Sequence, residues 1–353
     1  MIGRDDLRAG VSAGILSEAQ AASLASLADS RRGARENLAP GDEPFELFRG
    51  FNEIFIVVGL AILATGWIAM NGAAMTAATV DVRTHVAIMS VIGAGVLWLL
   101  SEYFISRRRM VAPAIALSIL FAANAGAGFV AWFGQLFMLA REEYSSLPWP
   151  LMMTTAALFG FWLRFRVPFA MAMIAVGFFA VAILLAAISA GQPDSLQDLF
   201  LLSADGPFAW ITLLLGGLVF LAAMWFDMSD PHRVTRRSAN GFWLHIVAAP
   251  ALVNTLALTL LERADAGAHL LLLAVLGFFA VVAIVIDRRS FLIAAIGYSV
   301  TLAFTILEGE SAGTIIFGLG VVLLVLGALW ERFRARLIRL LPFLPLDRLP
   351  PSN

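Results

Sequence analysis

Glu53, Glu102 and His245 each lie about one helical turn inside an otherwise apolar run of sequence. Ionisable groups buried in lipid are costly without a partner, so each is a candidate for function. At helical rise Glu53 lies about 6 Å beyond Arg49, Glu102 about 7.5 Å before Arg107, and His245 about 6 Å beyond Gly241. If their helices converge, the shared depth makes a carboxylate–histidine pocket open to one face of a membrane, able to hold a proton or a cation. Each also has a separate structural role open to it. Glu53, with Asn52, suits the positive end of its own helix. Glu102 can pair with Arg107, Arg108 and Arg109, and His245 can bond a neighbouring backbone group. A second constellation is GESAG (309–313), which matches G-x-S-x-G with Ser311 as nucleophile, and His85 and His269 fall on the same side. That motif works at a strand-to-helix elbow, whereas apolar helical sequence flanks it here.

The remaining chemistry is narrowed by exclusion. The sequence has no cysteine and no lysine, all 24 basic residues being arginine. Thiolate metal sites, disulfides and Schiff-base cofactors are therefore ruled out. No H-E-x-x-H, P-loop or dinucleotide fingerprint occurs. We expect no catalytic residue, no metal and no cofactor. Nucleic acid has no support either, because the arginines have a topological explanation.

The elements that carry these residues are membrane helices. Hydrophobic residues make up 60% of the 353 and charged residues only 14%, with a mean hydropathy of +0.87. A bilayer core about 30 Å thick takes about 20 apolar residues. The chain then divides into ten expected spans: 52–70, 84–105, 110–139, 149–163, 168–190, 207–226, 241–261, 269–286, 291–307 and 314–330. The expected fold class is an all-α polytopic helix bundle. Arginine placement orients it. With the N-terminus inside, only Arg83, Arg141 and Arg263 fall outside, as the positive-inside rule requires. Both termini are thus expected in the cytoplasm, and the protein in a bacterial inner membrane. The polar first fifty residues lack a signal-peptide core, so the first span is expected to direct insertion.

Polar and small residues within the spans suit helix packing. Asn124 and Asn254 are placed to hydrogen-bond across helices, Gln135 lies nearer the outer edge, and Gly313, Gly320 and Gly327 recur on one face. Pro250 frees the carbonyl of Ile246 and decides whether His245 and Asn254, about half a turn apart around the helix, can meet. The first and sixth spans share a faint pattern (Phe51, Ile54, Gly59 against Phe208, Ile211, Gly216), which an inverted repeat would explain.

Segments flank the spans. Residues 1–33 read as a cytoplasmic helical hairpin, with Ser17 and Gln20 at capping-box spacing and an apolar stripe at Leu24, Leu27 and Ala28. Residues 34–50 form a linker, 51–331 the membrane domain and 332–353 an amphipathic tail. On that tail Arg332, Arg336 and Arg339 share a face opposite Phe333, Leu337, Leu340 and Leu341, which suits anionic lipid headgroups. A protein partner would suit the hairpin.

The stretches AGVSAGILSEAQAASL, FRGFNEIFIVVGLAIL, FWLHIVAAPALV and DRRSFLIAAIGY resemble segments of a bacterial membrane family, domain of unknown function 2157. The resemblance implies a multi-pass architecture with no particular reaction, so it carries no catalytic residue over. The leading functional expectation is transport or export of a small solute. A non-transporting sensor or scaffold acting through the hairpin is the alternative, and a membrane hydrolase using Ser311 comes third.

Overall fold

A computed structural model describes residues 4–17, 52–77, 81–135, 144–193, 195–231, 235–263, 265–288 and 330–340, together with Arg233 and scattered positions in 20–27 and 317–329. The described residues are mostly helical, with no strand among them. The chain separates into two units, Met1–Pro44 and Phe45–Asn353.

In the first unit α1 covers Arg4–Ser12. Gly14 ends it by taking a left-handed φ of 71°, which turns the amides of Ile15 and Leu16 back to the carbonyl of Gly10. The expected capping box then forms in both directions. Ser17 N donates to Gln20 Oε1 at 3.0 Å, and Gln20 N donates to Ser17 Oγ at 3.2 Å.

The second unit contains α2 (Asn52–Ala77), α3 (Val82–Ser101), α4 (Ala112–Phe133), α5 (Pro148–Phe165), α6 (Pro168–Ala190), α7 (Phe208–Ser229), α8 (Arg236–Glu262), α9 (Ala266–Val285) and α10 (Trp330–Leu340). Proline in the first turn starts α4, α5 and α6, where its missing N–H has no intrahelical partner to lose. A π-helical turn, Glu102–Arg107, extends α3.

Among the described residues seven helices are long and apolar enough to cross a membrane. They are α2, α3 with its extension, α4, and α6 to α9. The expected fourth span forms α5, an 18-residue helix that falls short of them because two prolines and Arg164 dilute its apolar content. The third is shorter than expected, since Gly134 caps α4 after Phe133. The expected ninth span, and most of the tenth, lie outside the described residues.

Hydrogen bonds between connections bring one set of helix ends together. The start of α2 meets the start of α4 through Glu53. The π turn meets the end of α5 through Glu102 and Arg164. The start of α8 meets the end of α5 through Arg236 and meets Arg288, just past α9, through Ser238. This end carries most of the described arginines. At the opposite end Arg83 Nε donates to the carbonyl of Ala131 at 2.6 Å, and Leu202 N donates to Thr259 Oγ1 at 3.0 Å.

In lipid no solvent-driven effect pulls helices together, so close backbone approach carries the packing. Helices α7 and α8 approach through Gly216, where an added Cβ would lie 2.9 Å from that of Ala251. Gly241 brings them together again, where a Cβ would lie 3.1 Å from the carbonyl of Ala223. Around α3 to α7 an aromatic core includes Phe121 and Phe161, stacked with centroids 4.8 Å apart. A second core joins α8, α9 and Trp330 of α10.

A candidate charged centre at the arginine-rich end

The close approach at Gly241 places the last turn of α7 against the first turns of α8. A side chain at 241 would overlap the carboxylate of Asp227, so the glycine is what lets that carboxylate enter the interface. His245, one turn further along α8, is fully buried at 0% exposure, and Asp227 is 6% exposed. His245 Nε2 lies 3.0 Å from Asp227 Oδ2. An ionised carboxylate only accepts, so Nε2 is the protonated nitrogen and any further proton goes to Nδ1. The ring of Phe220 meets the imidazole at 5.5 Å.

Arg288 completes the centre from the end of α9. Its Nε donates to Asp227 Oδ2 at 3.0 Å, its Nη2 donates to Oδ1 of the same carboxylate, and Nη2 also donates to the carbonyl of Ser238 at 2.7 Å. This two-pronged grip is the strong form of an arginine–carboxylate pair. Arg288 is 7% exposed. Asp227 and Arg288 cancel in charge, which leaves the imidazole to set the net charge of the centre.

The neighbouring residue faces the other way. Asp287 accepts from Arg233 Nη1 at 2.7 Å and from Trp330 Nε1 at 2.8 Å. Burial, reinforced by the charge of Arg288, pushes the Arg233 guanidinium below its ordinary pKa, while Asp287 and Asp227 oppose the shift; the group stays charged. Arg334 of α10 donates to the carbonyl of Ile284 at 3.2 Å and to that of Val285 at 3.4 Å, a cation on the negative end of α9.

The three residues expected to share a pocket have separate partners. Glu53 is buried, and its Oε2 accepts from Ala112 N at 2.9 Å and Val111 N at 3.3 Å, so it caps α4 rather than its own helix. Glu102 pairs with Arg164, not with the adjacent arginines. Only His245 belongs to the charged centre. Asn124 bonds across helices, its Nδ2 donating to the carbonyl of Ser90 at 2.8 Å. Asn254 is half-buried on α8 and differs from that expectation, with no hydrogen-bond partner for its amide among the described residues. Pro250 lies within α8. Gln135 follows α4, and its backbone N donates to Ser146 Oγ at 3.1 Å. Ser311, Gly313 and Gly327 fall outside the described residues, while a Cβ added at Gly320 would meet no described residue within 4 Å. Of the histidines set beside Ser311, His85 Nε2 lies 3.2 Å from Asn71 Oδ1, and His269 Nε2 is buried. No group of residues able to hold a metal occurs among the described residues.

The tail helix also differs from expectation. Its buried positions include Trp330, Arg334 and Ile338, successive turns of one face, whereas Leu340 is 76% exposed. Arg334 leaves the surface because the carbonyls at the end of α9 need a donor.

Asp227, Arg288 and Arg334 are the site residues that sequence reasoning missed. Extending the sixth span by about one helical turn would have placed Asp227 inside it, near the depth of His245. No family model, curated protein or solved structure matches the chain.

Proposed function

We propose that the protein is a multi-pass transporter or exporter of a small solute, with Asp227, His245 and Arg288 as its proton-responsive centre. The observation that carries this reading is the enclosure of a carboxylate, an imidazole and a guanidinium inside a bundle of apolar helices. Ionisable groups retained in such surroundings mark ion paths and relays. Protonating the imidazole turns a neutral centre into a cationic one, and an uncompensated buried charge is strongly unfavourable. The added proton therefore drives α7 and α8 toward another arrangement. Pro250, which leaves the carbonyl of Ile246 without its helical donor, supplies a point at which α8 can bend. The arginine-rich end faces the cytoplasm of a bacterial inner membrane, in keeping with positive-inside placement, and both termini lie on that side.

The test uses the whole chain in liposomes that enclose a pH-sensitive dye. A panel of small metabolites is added under an imposed pH gradient. The wild type dissipates the gradient faster with its solute, and Asp227→Asn and His245→Gln abolish that acceleration while keeping the wild-type circular dichroism. Equal proton flux in wild type and both variants across the panel would remove the reading. A scaffold reading draws on Ile15, which is 77% exposed in the N-terminal unit. It predicts that deleting residues 1–33 abolishes function while leaving proton flux unchanged.

A further inference from the structure

A cavity of about 400 Å³ lies between α2, α3 and α4, helices that contribute no residue to the charged centre. Its origin is a difference in how the three helices are held. Helices α3 and α4 pack tightly, because Gly93 admits the side-chain amide of Asn124 and a Cβ on Gly128 would sit 2.7 Å from that of Ser90. Helix α2 is anchored near its start by Glu53 and by Leu60, which is 4% exposed. Its later turns stand away, with Ile68 and Met70 both 70% exposed. The result is a wedge between α2 and the α3–α4 pair. Near its far end the His85–Asn71 contact joins α2 to α3.

The wedge has a particular chemistry. Its described lining is apolar, including Leu63, Trp67, Met75 and Leu97, and contains no charged side chain among the described residues. Three polar residues line it among the described residues: Asn71, Ser90 and Asn124. Ser101, Ser118 and Thr155 each donate their hydroxyl to the carbonyl four residues back. Ser90 makes no such bond: the residue is only 9% exposed, yet no described residue accepts a hydrogen bond from its hydroxyl. A polar group so enclosed in an apolar setting is costly unless something pairs with it. Ligand sites have this form, an apolar pocket of about 300–1,000 Å³ with a few converging polar groups.

We propose that the wedge binds a neutral amphiphile drawn from the bilayer, with one hydroxyl or carbonyl head on Ser90 and a single apolar chain along α2. A charged head is disfavoured because no described residue of the lining could compensate it at that depth. A two-chain phospholipid is excluded because its charged headgroup belongs at the interface. This site is independent of the transport reading.

Trp67 in the wall allows a direct test by fluorescence quenching of the full chain in liposomes. The probes are ω-bromoundecanol, ω-bromoundecanoate at alkaline pH and brominated phosphatidylcholine, with Trp67→Phe subtracted to isolate the signal. Bromoundecanol quenches Trp67 saturably, and the carboxylate binds at least about tenfold more weakly. Ser90→Ala weakens the alcohol about fivefold, the loss expected for one neutral hydrogen bond. Gly72 lines the wedge, and an added Cβ there meets no described residue within 4 Å, so Gly72→Phe places its ring in the wedge and abolishes saturation. Gly217→Phe on α7, where an added Cβ likewise meets no described residue within 4 Å, leaves binding unchanged. Quenching that rises linearly with probe mole fraction, or that persists in Gly72→Phe, overturns the proposal. So does saturable quenching by brominated phosphatidylcholine that bromoundecanol fails to displace.

Discussion

Removing the Asp227 carboxylate is the sharpest test of the charged centre. In Asp227→Ala, Arg288 loses the acceptor of its Nε and one of the two acceptors of its Nη2, and keeps the Ser238 carbonyl. The ring of Phe242, 5.9 Å from the guanidinium carbon, replaces only part of that interaction. His245 Nε2 loses its carboxylate partner as well. Stranding one member of a buried ion pair costs about 3–5 kcal/mol, and an orphaned imidazole N–H adds about 1–3 kcal/mol. Contributions within one network do not add fully, so the expected destabilisation is about 4–6 kcal/mol. Arg288→Met strands the carboxylate instead and costs a similar amount. The double variant Asp227→Leu/Arg288→Met removes both charges and keeps most of the volume, so it recovers most of the loss. Reversible unfolding in mixed detergent micelles, followed by circular dichroism, gives the four free energies of the cycle. A single variant within about 1 kcal/mol of wild type would refute the reasoning, as would a double variant no better than the worse single. Either result would mean that the guanidinium reaches water or another anion.

Three further outcomes follow from the geometry. Gly241→Ala destabilises by about 1–3 kcal/mol through overpacking, because the new methyl meets the Asp227 carboxylate and the Ala223 carbonyl; Gly217→Ala, beside open space, stays near wild type in the same unfolding assay. Glu53→Ala orphans the amides of Val111 and Ala112 and costs about 1–3 kcal/mol, with faster hydrogen exchange confined to the start of α4. Asp81 caps α3 through Thr84, whose backbone and hydroxyl hydrogen bonds hold the exposed carboxyl below its ordinary pKa. A depressed carboxylate contributes its stability above its unfolded pKa and loses it as pH falls through the folded value. Protection of the Thr84 amide, corrected for intrinsic exchange, therefore drops under acid in wild type and loses that pH dependence in Asp81→Asn.

Much of the architecture was legible because lipid leaves the backbone few choices: a spanning segment must satisfy its own hydrogen bonds, so composition alone points to helices. The boundaries were less legible, and the sixth span shows why. A hydropathy window stops at the first charge, which ended that span at Phe226. The helix runs on to Ser229, since the charge of Asp227 is met by Arg288 and His245 and need not reach water. Arg288 was hidden for the complementary reason. Among so many arginines at one end, one more needs no explanation beyond topology, and nothing in its neighbours marks it as buried. Arg334 follows the same pattern, since a helical wheel assigns an arginine to the wet face unless the carbonyls at the end of α9 are known to be there.

The candidate pocket shows what kind of information was missing. Glu53, Glu102 and His245 do share the arginine-rich end, as their spacing from the span ends implied. They point to three different partners: the start of α4, Arg164 at the end of α5, and Asp227 on α7. Depth along a helix is encoded by position and can be counted. Direction around it depends on which neighbour comes close, and that depends on small residues such as Gly241 and Gly93, whose contribution is to leave room. The α2 wedge is the extreme case, being defined by contacts that the later turns of α2 do not make. Both candidate sites in this protein are thus created by where helices α7–α8 and α3–α4 approach closely and where α2 does not. Substitutions at Gly241 and Gly72 accordingly act at least as strongly as substitutions at the polar residues beside them, the first on the charged centre by closing off the carboxylate and the second on amphiphile binding by filling the wedge.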